Sequence, residues 1–304
     1  MEQFGGAAPS VCNHLLHMRD SLRGRRTALC VAVGAGLAAV VVVMIAGKGT
    51  SATRSEGSGQ VAYAAPLGFA HTVVLSRALH QGRYRGAQHV GQGCWRSSWA
   101  PSASRSYVAV VRHLAVARSR PGGTIIGRFG RFDQNDYPTV FAILAARGDP
   151  CHPAWYRVQL PVPPNGSTGW IRSWSVRTVQ VHARMVVRLA LRRLLVYRSG
   201  KRIFSAYIAV GAAETPTPTG EFFVNERFLL RSHDGPFGVA ALGISAHSTV
   251  LHNWVQGGPI ALHGTNDPSS IGHAVSHGCI RLNNTEMRRL LTLAPAGTPV
   301  VIRP

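Results

Sequence analysis

The apolar positions along the chain group into two kinds of segment. Residues 27–47 read TALCVAVGAGLAAVVVVMIAG without a charged side chain, which has the length and composition of a helix that crosses a bilayer. From residue 107 onward the apolar positions come instead in short runs separated by Gly, Pro, Asn and Ser. Such runs predict strands joined by turns. The pattern therefore predicts a mainly β protein preceded by one N-terminal transmembrane helix.

The basic segment 1–26 sets the orientation of that helix. Arg19, Arg23, Arg25 and Arg26 lie directly before the apolar run, and the positive-inside rule places such a flank in the cytoplasm. A cleaved signal peptide is the alternative, but the run is longer than a usual signal-peptide core, and the nearest A-x-A motif, at residues 62–64, lies far downstream. We expect a single-pass protein of the cell membrane with its C-terminal domains on the outer side.

Two further regions follow the apolar run before the C-terminal domain. Residues 48–106 are rich in Gly, Ser, Ala and Arg and show little periodicity, as in a flexible linker. Residues 107–179 then contain β-prone runs broken by Pro-Gly-Gly and Pro-Asn-Gly turns, which predict a small all-β module. The runs are 107–111, 124–129, 139–144, 155–160 and 169–174.

Parts of this module resemble bacterial SH3-like domains, which are small β-barrels that precede cell-wall enzymes. The stretches that carry the resemblance are 115–121, 155–158 and 164–171. Trp155, Tyr156, Trp170 and Trp174 could contact sugar or peptide in such a module. Aromatic side chains at strand spacing in so small a barrel are more often part of its core, and we expect a core role here.

The strand-like pattern continues over residues 180–304 and predicts a β-sandwich. The runs 194–197 and 204–210, joined by a turn at 198–201, predict a hairpin. One short helix is predicted to begin near Asn284, where Asn or Thr can cap the free amides ahead of Glu286 and the apolar Leu290 and Leu291. A final strand is predicted at 299–303.

Charge and composition narrow the range of partners only slightly. The formal net charge is +21, and only Lys48 and Lys201 are lysines. A basic surface attracts nucleic acid, anionic lipid or acidic wall polymers alike. The chain shows no nucleic-acid-binding motif and no basic run interleaved with aromatics, so we expect no nucleic acid partner. A solvated basic surface is the simplest interpretation.

The five cysteines stand at 12, 30, 94, 151 and 279, without a CxxC spacing, so their pattern does not indicate a metal or redox framework. Outside the cell, Cys94 and Cys151 could form a disulfide and leave Cys279 free. Two unrelated buried thiols are the alternative.

The residues that carry chemistry cluster around Cys279. Ile260-Ala261-Leu262-His263-Gly264-Thr265 is followed by Ser276-His277-Gly278-Cys279-Ile280-Arg281-Leu282. A cysteine attacks a carbonyl as thiolate and needs a base or a positive neighbour, which histidine and arginine supply. A zinc site from His263, His277 and Cys279 is an alternative, but no acidic partner or HxxxH spacing supports it. We predict no metal and no organic cofactor.

This constellation resembles the YkuD-type L,D-transpeptidase catalytic domains, whose signature is an upstream histidine followed by [Ser/Thr]-His-Gly-Cys. The resemblance covers about 180–304 and includes Ala209-Val210-Gly211 and the segment TPTPTGEF at 215–222. It implies that Cys279 is the nucleophile and that His263 is the general base, with its ring held by the carbonyl of Gly264. It further implies that His277 and Arg281 shape the site and stabilise charge, that Ser276 hydrogen-bonds within it, and that the Gly278 and Cys279 amides form an oxyanion hole.

The resemblance implies a ping-pong reaction on peptidoglycan stem peptides. Cys279 attacks a tetrapeptide donor at the carbonyl of residue three, D-alanine leaves, and an acceptor amine resolves the thioester into a cross-link. It also implies acylation of Cys279 by carbapenem-type β-lactams. The alternatives are an L,D-carboxypeptidase, a cysteine endopeptidase of the wall, and a wall-binding protein without activity. The endopeptidases place the cysteine well before the histidine, the opposite of the order seen here.

Overall fold

The computed structural model describes residues 101–231, 233–253 and 257–304, and these residues form a mainly β protein. The predicted cytoplasmic segment 1–26, the predicted spanning helix 27–47 and residues 48–100 of the predicted linker lie outside the described residues. Within the described ranges, no helix combines the length and the apolar character needed to cross a bilayer.

The strands follow the predicted runs closely in the C-terminal half and less closely before it. The hairpin and the last strand are confirmed, whereas two strands in the first half, 114–118 and 176–181, were not predicted as separate elements. In chain order the elements are β1 (Ser106–Val111), β2 (Leu114–Arg118), β3 (Ile125–Gly130), β4 (Val140–Gly148), β5 (Pro153–Gln159), β6 (Thr168–Arg172), β7 (Val176–Val181), β8 (Ala183–Arg188), β9 (Arg193–Arg198), β10 (Lys201–Tyr207), β11 (Val210–Gly211), β12 (Gly220–Leu229), β13 (Ala240–His247), β14 (Pro259–His263), β15 (Ala274–Ser276), β16 (Ile280–Arg281), α1 (Asn284–Leu293) and β17 (Pro299–Arg303).

The first seven strands form an antiparallel sheet in the order β3-β2-β6-β5-β4-β1-β7. Trp155 and Tyr156 are buried in it, as predicted. Trp174 lies in a short 3₁₀ turn and is 74% exposed, so the core role predicted for it is wrong. This part of the chain is all-β, and its assignment as an SH3-like barrel stays a prediction.

The second sheet has eight strands in the order β10-β9-β8-β17-β12-β13-β14-β16, and β11 pairs with β15 beside it. Buried side chains alternate along β8 and β9, as expected when one face of a sheet is buried, whereas β13 and β14 are buried along almost their whole length. Helix α1 packs against β13 and buries Met287 and Leu290 in the shared core. The strands and the helix thus enclose one apolar core in a sandwich-like or half-barrel arrangement, which places β14 and β16 side by side.

The cysteines differ in state. Cys151 is disulfide-bonded, and Cys279 is a free thiol. The predicted partner, Cys94, lies outside the described residues, so the specific pairing stays a prediction. The free thiol at Cys279 agrees with its predicted chemical role.

The two sheets are joined by packing and by side-chain hydrogen bonds. Val108 and Val110 of β1 share an apolar cluster with Phe223 of β12. Asn165 makes a two-way amide contact with the backbone of His247, because its Nδ2 donates to the carbonyl and its Oδ1 accepts from the amide, both at 2.8 Å. The first sheet is therefore fixed against the second.

A pair of partly buried carboxyl groups lies at this junction. Glu226 of β12 hydrogen-bonds to Asp133, and Asn135 Nδ2 donates to Glu226 Oε1 at 3.0 Å. The Asn135 and Tyr137 amides both donate to Asp133 Oδ1 at 2.9 Å. Burial and then the neighbouring Asp133 charge raise the pKa of Glu226 from 4.5 to about 8. Because the backbone amides favour the charged form of Asp133, Glu226 holds the shared proton.

This pair predicts that the protein loses stability as the pH rises. Between about pH 4.5 and 8 the folded protein holds a Glu226 proton that the unfolded chain has released. The free energy of unfolding should therefore fall by about 1 kcal/mol per pH unit in that window. Glu226→Gln keeps a donor for Asp133 without an acid and should flatten the profile, as measured by urea denaturation of the full chain. Glu221→Gln, an exposed position on the same strand, is the matched control and should leave the slope intact.

Candidate active site

Strand pairing places the predicted nucleophile and base at neighbouring strand ends. β14 and β16 run parallel, with Leu262 opposite Ile280 and His263 opposite Arg281. Cys279 immediately precedes β16, and the backbone of Ala261 in β14 makes a hydrogen bond to it. Side chains two residues apart on a strand share a face, so Ala261 and His263 lie on the same side of β14. His263 and Cys279, which are sixteen positions apart in sequence, are thus brought together by one strand pair.

The ring of His263 is buried, with 3% of its surface exposed. Its Nδ1 lies 2.5 Å from the carbonyl oxygen of Gly264, which confirms the predicted contact. A carbonyl can only accept, so Nδ1 carries the proton and Nε2 keeps a free lone pair. Phe237 packs edge-on against the ring at a centroid distance of 4.9 Å. The ring is therefore held in the tautomer that a general base at Nε2 requires.

Burial controls the protonation of this pair, and Arg281 modifies it. Loss of solvent lowers the pKa of His263 from 6.5 to about 4, with a smaller contribution in the same direction from the Arg281 charge. Burial also raises the pKa of Cys279, against the opposing effects of the Ala261 hydrogen bond and of Arg281. Both groups are consequently uncharged at neutral pH. The resting site is a thiol beside an imidazole, and the proton moves only when a substrate is attacked.

The Ser276 side chain hydrogen-bonds to the backbone of both Gly278 and Cys279. Its hydroxyl donates to the Cys279 carbonyl at 2.5 Å and accepts from the Gly278 amide at 3.2 Å. The predicted hydrogen-bonding role of Ser276 is confirmed. The prediction that the Gly278 amide faces an oxyanion is corrected, because that amide already has an acceptor. The role of the Cys279 amide stays a prediction.

A glycine is required at position 278 because its backbone adopts a φ of +109°, a conformation that side chains disfavour. A Cβ there would also lie 2.9 Å from Ile260 Cδ1. The turn before Cys279 is therefore open only to glycine.

Two threonines that were assigned no role from the sequence hydrogen-bond to the turn before Cys279, hereafter the nucleophile turn. Thr217 Oγ1 donates to the Gly278 carbonyl at 2.8 Å and accepts from the Gly211 amide at 2.9 Å. Thr215 Oγ1 donates to the Ser276 carbonyl at 3.0 Å. Both belong to the TPTPTGEF segment. The sequence signal for these hydrogen bonds was the alternation of threonine with proline. Proline has no backbone N–H, so the threonine hydroxyls are prominent among the donors that remain in this segment.

The Asn284 side chain hydrogen-bonds to backbone amides close to His263. Its Oδ1 accepts from the amides of Thr265 at 3.1 Å and Val239 at 3.3 Å. A Cβ at Gly264 would lie 2.2 Å from that oxygen. The helix begins at Asn284, as predicted, but its cap residue, Asn283, makes no side-chain capping bond. Asn284 satisfies buried backbone amides next to His263.

The remaining predicted residues lie around this centre. His277 is exposed on the turn beside Cys279. Arg281 is partly buried, and its Nε has no hydrogen-bond partner among the described residues. Those residues also contain no group of three or more His, Cys, Asp or Glu that could hold a metal ion. The geometry thus offers a nucleophile, a neutral base and a nearby cation.

The comparisons with known proteins concern the part of the chain that contains these residues. Residues 182–302 match the model of the YkuD family, described as the L,D-transpeptidase catalytic domain. A Bacillus subtilis (strain 168) protein named as an L,D-transpeptidase, YkuD, is 42% identical over 102 residues, which are 33% of this chain and 54% of that protein. A Bacillus licheniformis protein of the same name is 39% identical over 121 residues, 40% of this chain and 66% of that protein.

The chain therefore spans about half to two thirds of the length of these curated relatives. Among solved structures, the L,D-transpeptidase crystal structure from Stackebrandtia nassauensis is 21% identical and covers 40% of this chain and 55% of that chain, with a TM-score of 0.31.

Replacement of Arg281 by methionine should slow the reaction of Cys279 with an alkylating reagent. Loss of the positive charge removes one of the two effects that lower the pKa of the thiol, so the pH midpoint of alkylation should move upward and the rate at neutral pH should fall severalfold. The rate is followed by mass spectrometry of the Cys279 peptide after iodoacetamide treatment. Arg281→Lys keeps the charge and should retain most of the rate. Equal midpoints for the wild type and Arg281→Met would contradict this electrostatic role.

Removal of the Thr217 hydroxyl should weaken both the fold and the nucleophile turn. Thr217→Val leaves the Gly278 carbonyl and the Gly211 amide without this partner, which should lower the free energy of unfolding by about 1–3 kcal/mol. Thr217→Ser retains the hydroxyl and serves as the control. Urea denaturation gives the stability, and Cys279 alkylation reports on the turn. Equal stability of the valine and serine variants would show that the hydrogen bonds of the Thr217 hydroxyl do not stabilise the fold.

Proposed function

We propose that the protein is a cysteine L,D-transpeptidase that cross-links peptidoglycan stem peptides, because residues 182–302 match the model of the YkuD family of L,D-transpeptidase catalytic domains. One observation carries the proposal. The Nδ1 of buried His263 is bound to the Gly264 carbonyl, which leaves Nε2 as a base at the strand end beside the free thiol of Cys279.

The first half-reaction is acylation of Cys279. The sulfur attacks the carbonyl carbon of residue three of a tetrapeptide stem while its proton passes to His263 Nε2. Because the thiol and imidazole start uncharged, this transfer creates an imidazolium and an oxyanion together. The imidazolium then gives its proton to the departing nitrogen, and D-alanine leaves as a neutral amine. A thioester to Cys279 remains.

The second half-reaction transfers the acyl group to an amine of another stem peptide. His263 Nε2 removes a proton from that amine as it attacks the thioester, and the proton returns to the sulfur when the C–S bond breaks. Water in place of the amine would give a tripeptide and an L,D-carboxypeptidase. The chemistry uses no metal or organic cofactor.

Arg281 and the Cys279 amide are the groups proposed to stabilise negative charge in this reaction. The Arg281 cation lowers the pKa of Cys279 and opposes protonation of His263, so it favours the thiolate that develops during attack. The Cys279 amide lies next to the attacked carbon by covalent geometry and can donate to the developing oxyanion. The proposal assigns to His277, which is exposed on the same turn, a contact with the stem peptide.

We also propose that the chain is anchored in the cell membrane and works on its outer side. The uncharged run 27–47 with its preceding arginines supports this orientation. The disulfide at Cys151 fits an oxidising compartment. Stem peptides available for cross-linking lie in that same compartment.

The reaction is tested by incubating the full chain in detergent with tetrapeptide-bearing muropeptides and analysing the products by mass spectrometry. Wild-type protein should give cross-linked dimers and free D-alanine, and a carbapenem should add its mass to the Cys279 peptide. Cys279→Ala should give neither. His263→Gln should lower the rate by about 10²–10⁴-fold, the usual contribution of a general base.

His113→Gln is the matched control, since His113 is an exposed histidine in the turn between β1 and β2, and it should retain full activity. Tripeptide without dimers would identify a carboxypeptidase. Absence of both products and of the drug adduct would favour a wall-binding protein, and dimers made by Cys279→Ala would reject the proposed nucleophile.

A further inference from the structure

The turn between β8 and β9 exposes a leucine at its apex. Leu191 is 54% exposed. The turn is fixed, because the Arg192 amide donates to the Leu189 carbonyl at 3.1 Å and the Arg192 side chain donates to the same oxygen. A single exposed leucine is common on protein surfaces, so its meaning depends on what surrounds it.

A row of in-register basic and aromatic residues lies beside that turn. Arg303 of β17 is opposite Arg188 of β8, Arg188 is opposite Arg193 of β9, and Arg193 is opposite Tyr207 of β10. Paired residues share a face, and neighbouring strands are about 4.8 Å apart. Arg188, Arg303 and Tyr207 are exposed, and the guanidinium of Arg193 lies 4.2 Å from the centroid of the Tyr207 ring. Three positive charges are therefore held side by side on a solvent-facing surface.

These charges are not neutralised by the protein around them. Strands β8, β9, β10 and β17 contain no aspartate or glutamate. Among the described residues, no ion pair involves Arg188, Arg192, Arg193 or Arg303. Like charges directly opposite each other weaken a sheet. The arrangement therefore disfavours the fold in isolation and suits an anionic partner.

We propose that this surface, hereafter the basic face, docks on an anionic phospholipid bilayer. The basic face consists of Arg188, Leu191, Arg192, Arg193, Tyr207 and Arg303. Guanidinium groups bind lipid phosphates, and tyrosine favours the headgroup level of a membrane. The exposed leucine decides between lipid and a soluble polyanion, because it gains by entering the acyl boundary and gains nothing from a phosphate polymer. Docking would hold the second sheet against the membrane and does not depend on the proposed reaction.

The test follows amide hydrogen exchange of the full chain reconstituted in vesicles. Vesicles contain either phosphatidylglycerol or phosphatidylcholine alone, so any insertion of residues 27–47 is common to both. Exchange in peptides covering 188–193 and 203–207 should slow with phosphatidylglycerol only. Because one basic residue near an anionic surface contributes about fivefold to binding, Arg188→Gln/Arg193→Gln/Arg303→Gln should weaken docking about a hundredfold and remove this protection. Protection of β13 amides checks that the variant is folded.

Two matched controls separate the basic face from overall charge and hydrophobicity. Arg128→Gln/Arg131→Gln/Arg147→Gln removes three exposed arginines from the first-sheet region and should leave the protection intact. Leu191→Ser should reduce it, whereas Leu114→Ser, at a leucine that is 46% exposed, should not.

Three outcomes would overturn the proposal. The first is equal protection in both kinds of vesicle. The second is equal loss of protection in both triple variants. The third is full protection by inorganic phosphate without lipid, which would indicate an anion site instead of a membrane surface.

Discussion

Burial of an uncharged imidazole beside an uncharged thiol is the constraint on which the site depends. Charge in an apolar interior costs several kcal/mol unless it is paired, so the sheet that encloses His263 holds the ring neutral and lowers its pKa to about 4. A neutral ring retains a free lone pair only if its other nitrogen is fixed. The Gly264 carbonyl fixes it, and thus the backbone after β14 determines which nitrogen can act as a base.

The same demand for satisfied polar groups explains the surrounding side chains. Buried backbone amides and carbonyls need partners, and the turns around the site cannot supply them from regular strands. Asn284 binds two amides behind His263, and Thr217 binds a carbonyl and an amide beside the nucleophile turn. Ser276 binds the Gly278 amide and the Cys279 carbonyl. These three residues therefore hold the backbone around His263 and Cys279 in place through hydrogen bonds alone.

The sequence was sufficient for local patterns and insufficient for contacts between distant segments. Strand periodicity predicted the hairpin and the final strand, and the family resemblance of the motif around Cys279 implied the contact of His263 with Gly264 that the structure shows. The helix start at Asn284 was predicted from its neighbours in sequence, whereas the hydrogen bonds of Asn284 to the amides at 239 and 265 were not, because those partners are remote in sequence. The Gly278 amide was assigned to an oxyanion because the Ser276 hydroxyl that occupies it can be seen only in three dimensions. Trp174 was assigned to a core that leaves it 74% exposed.

Packing connects the first sheet to His263. Tyr137, which follows the Asp133 turn, packs against Phe228 of β12 at a centroid distance of 4.7 Å, and Phe237 lies against the same apolar cluster while its ring contacts His263. Closely packed aromatic groups transmit displacement, because protein interiors contain few voids. At the other end of this row of aromatic contacts, the protonated Glu226 hydrogen-bonds to Asp133 and so holds the turn that precedes Tyr137. The first sheet is therefore part of the support of the imidazole, in addition to any binding role of its own.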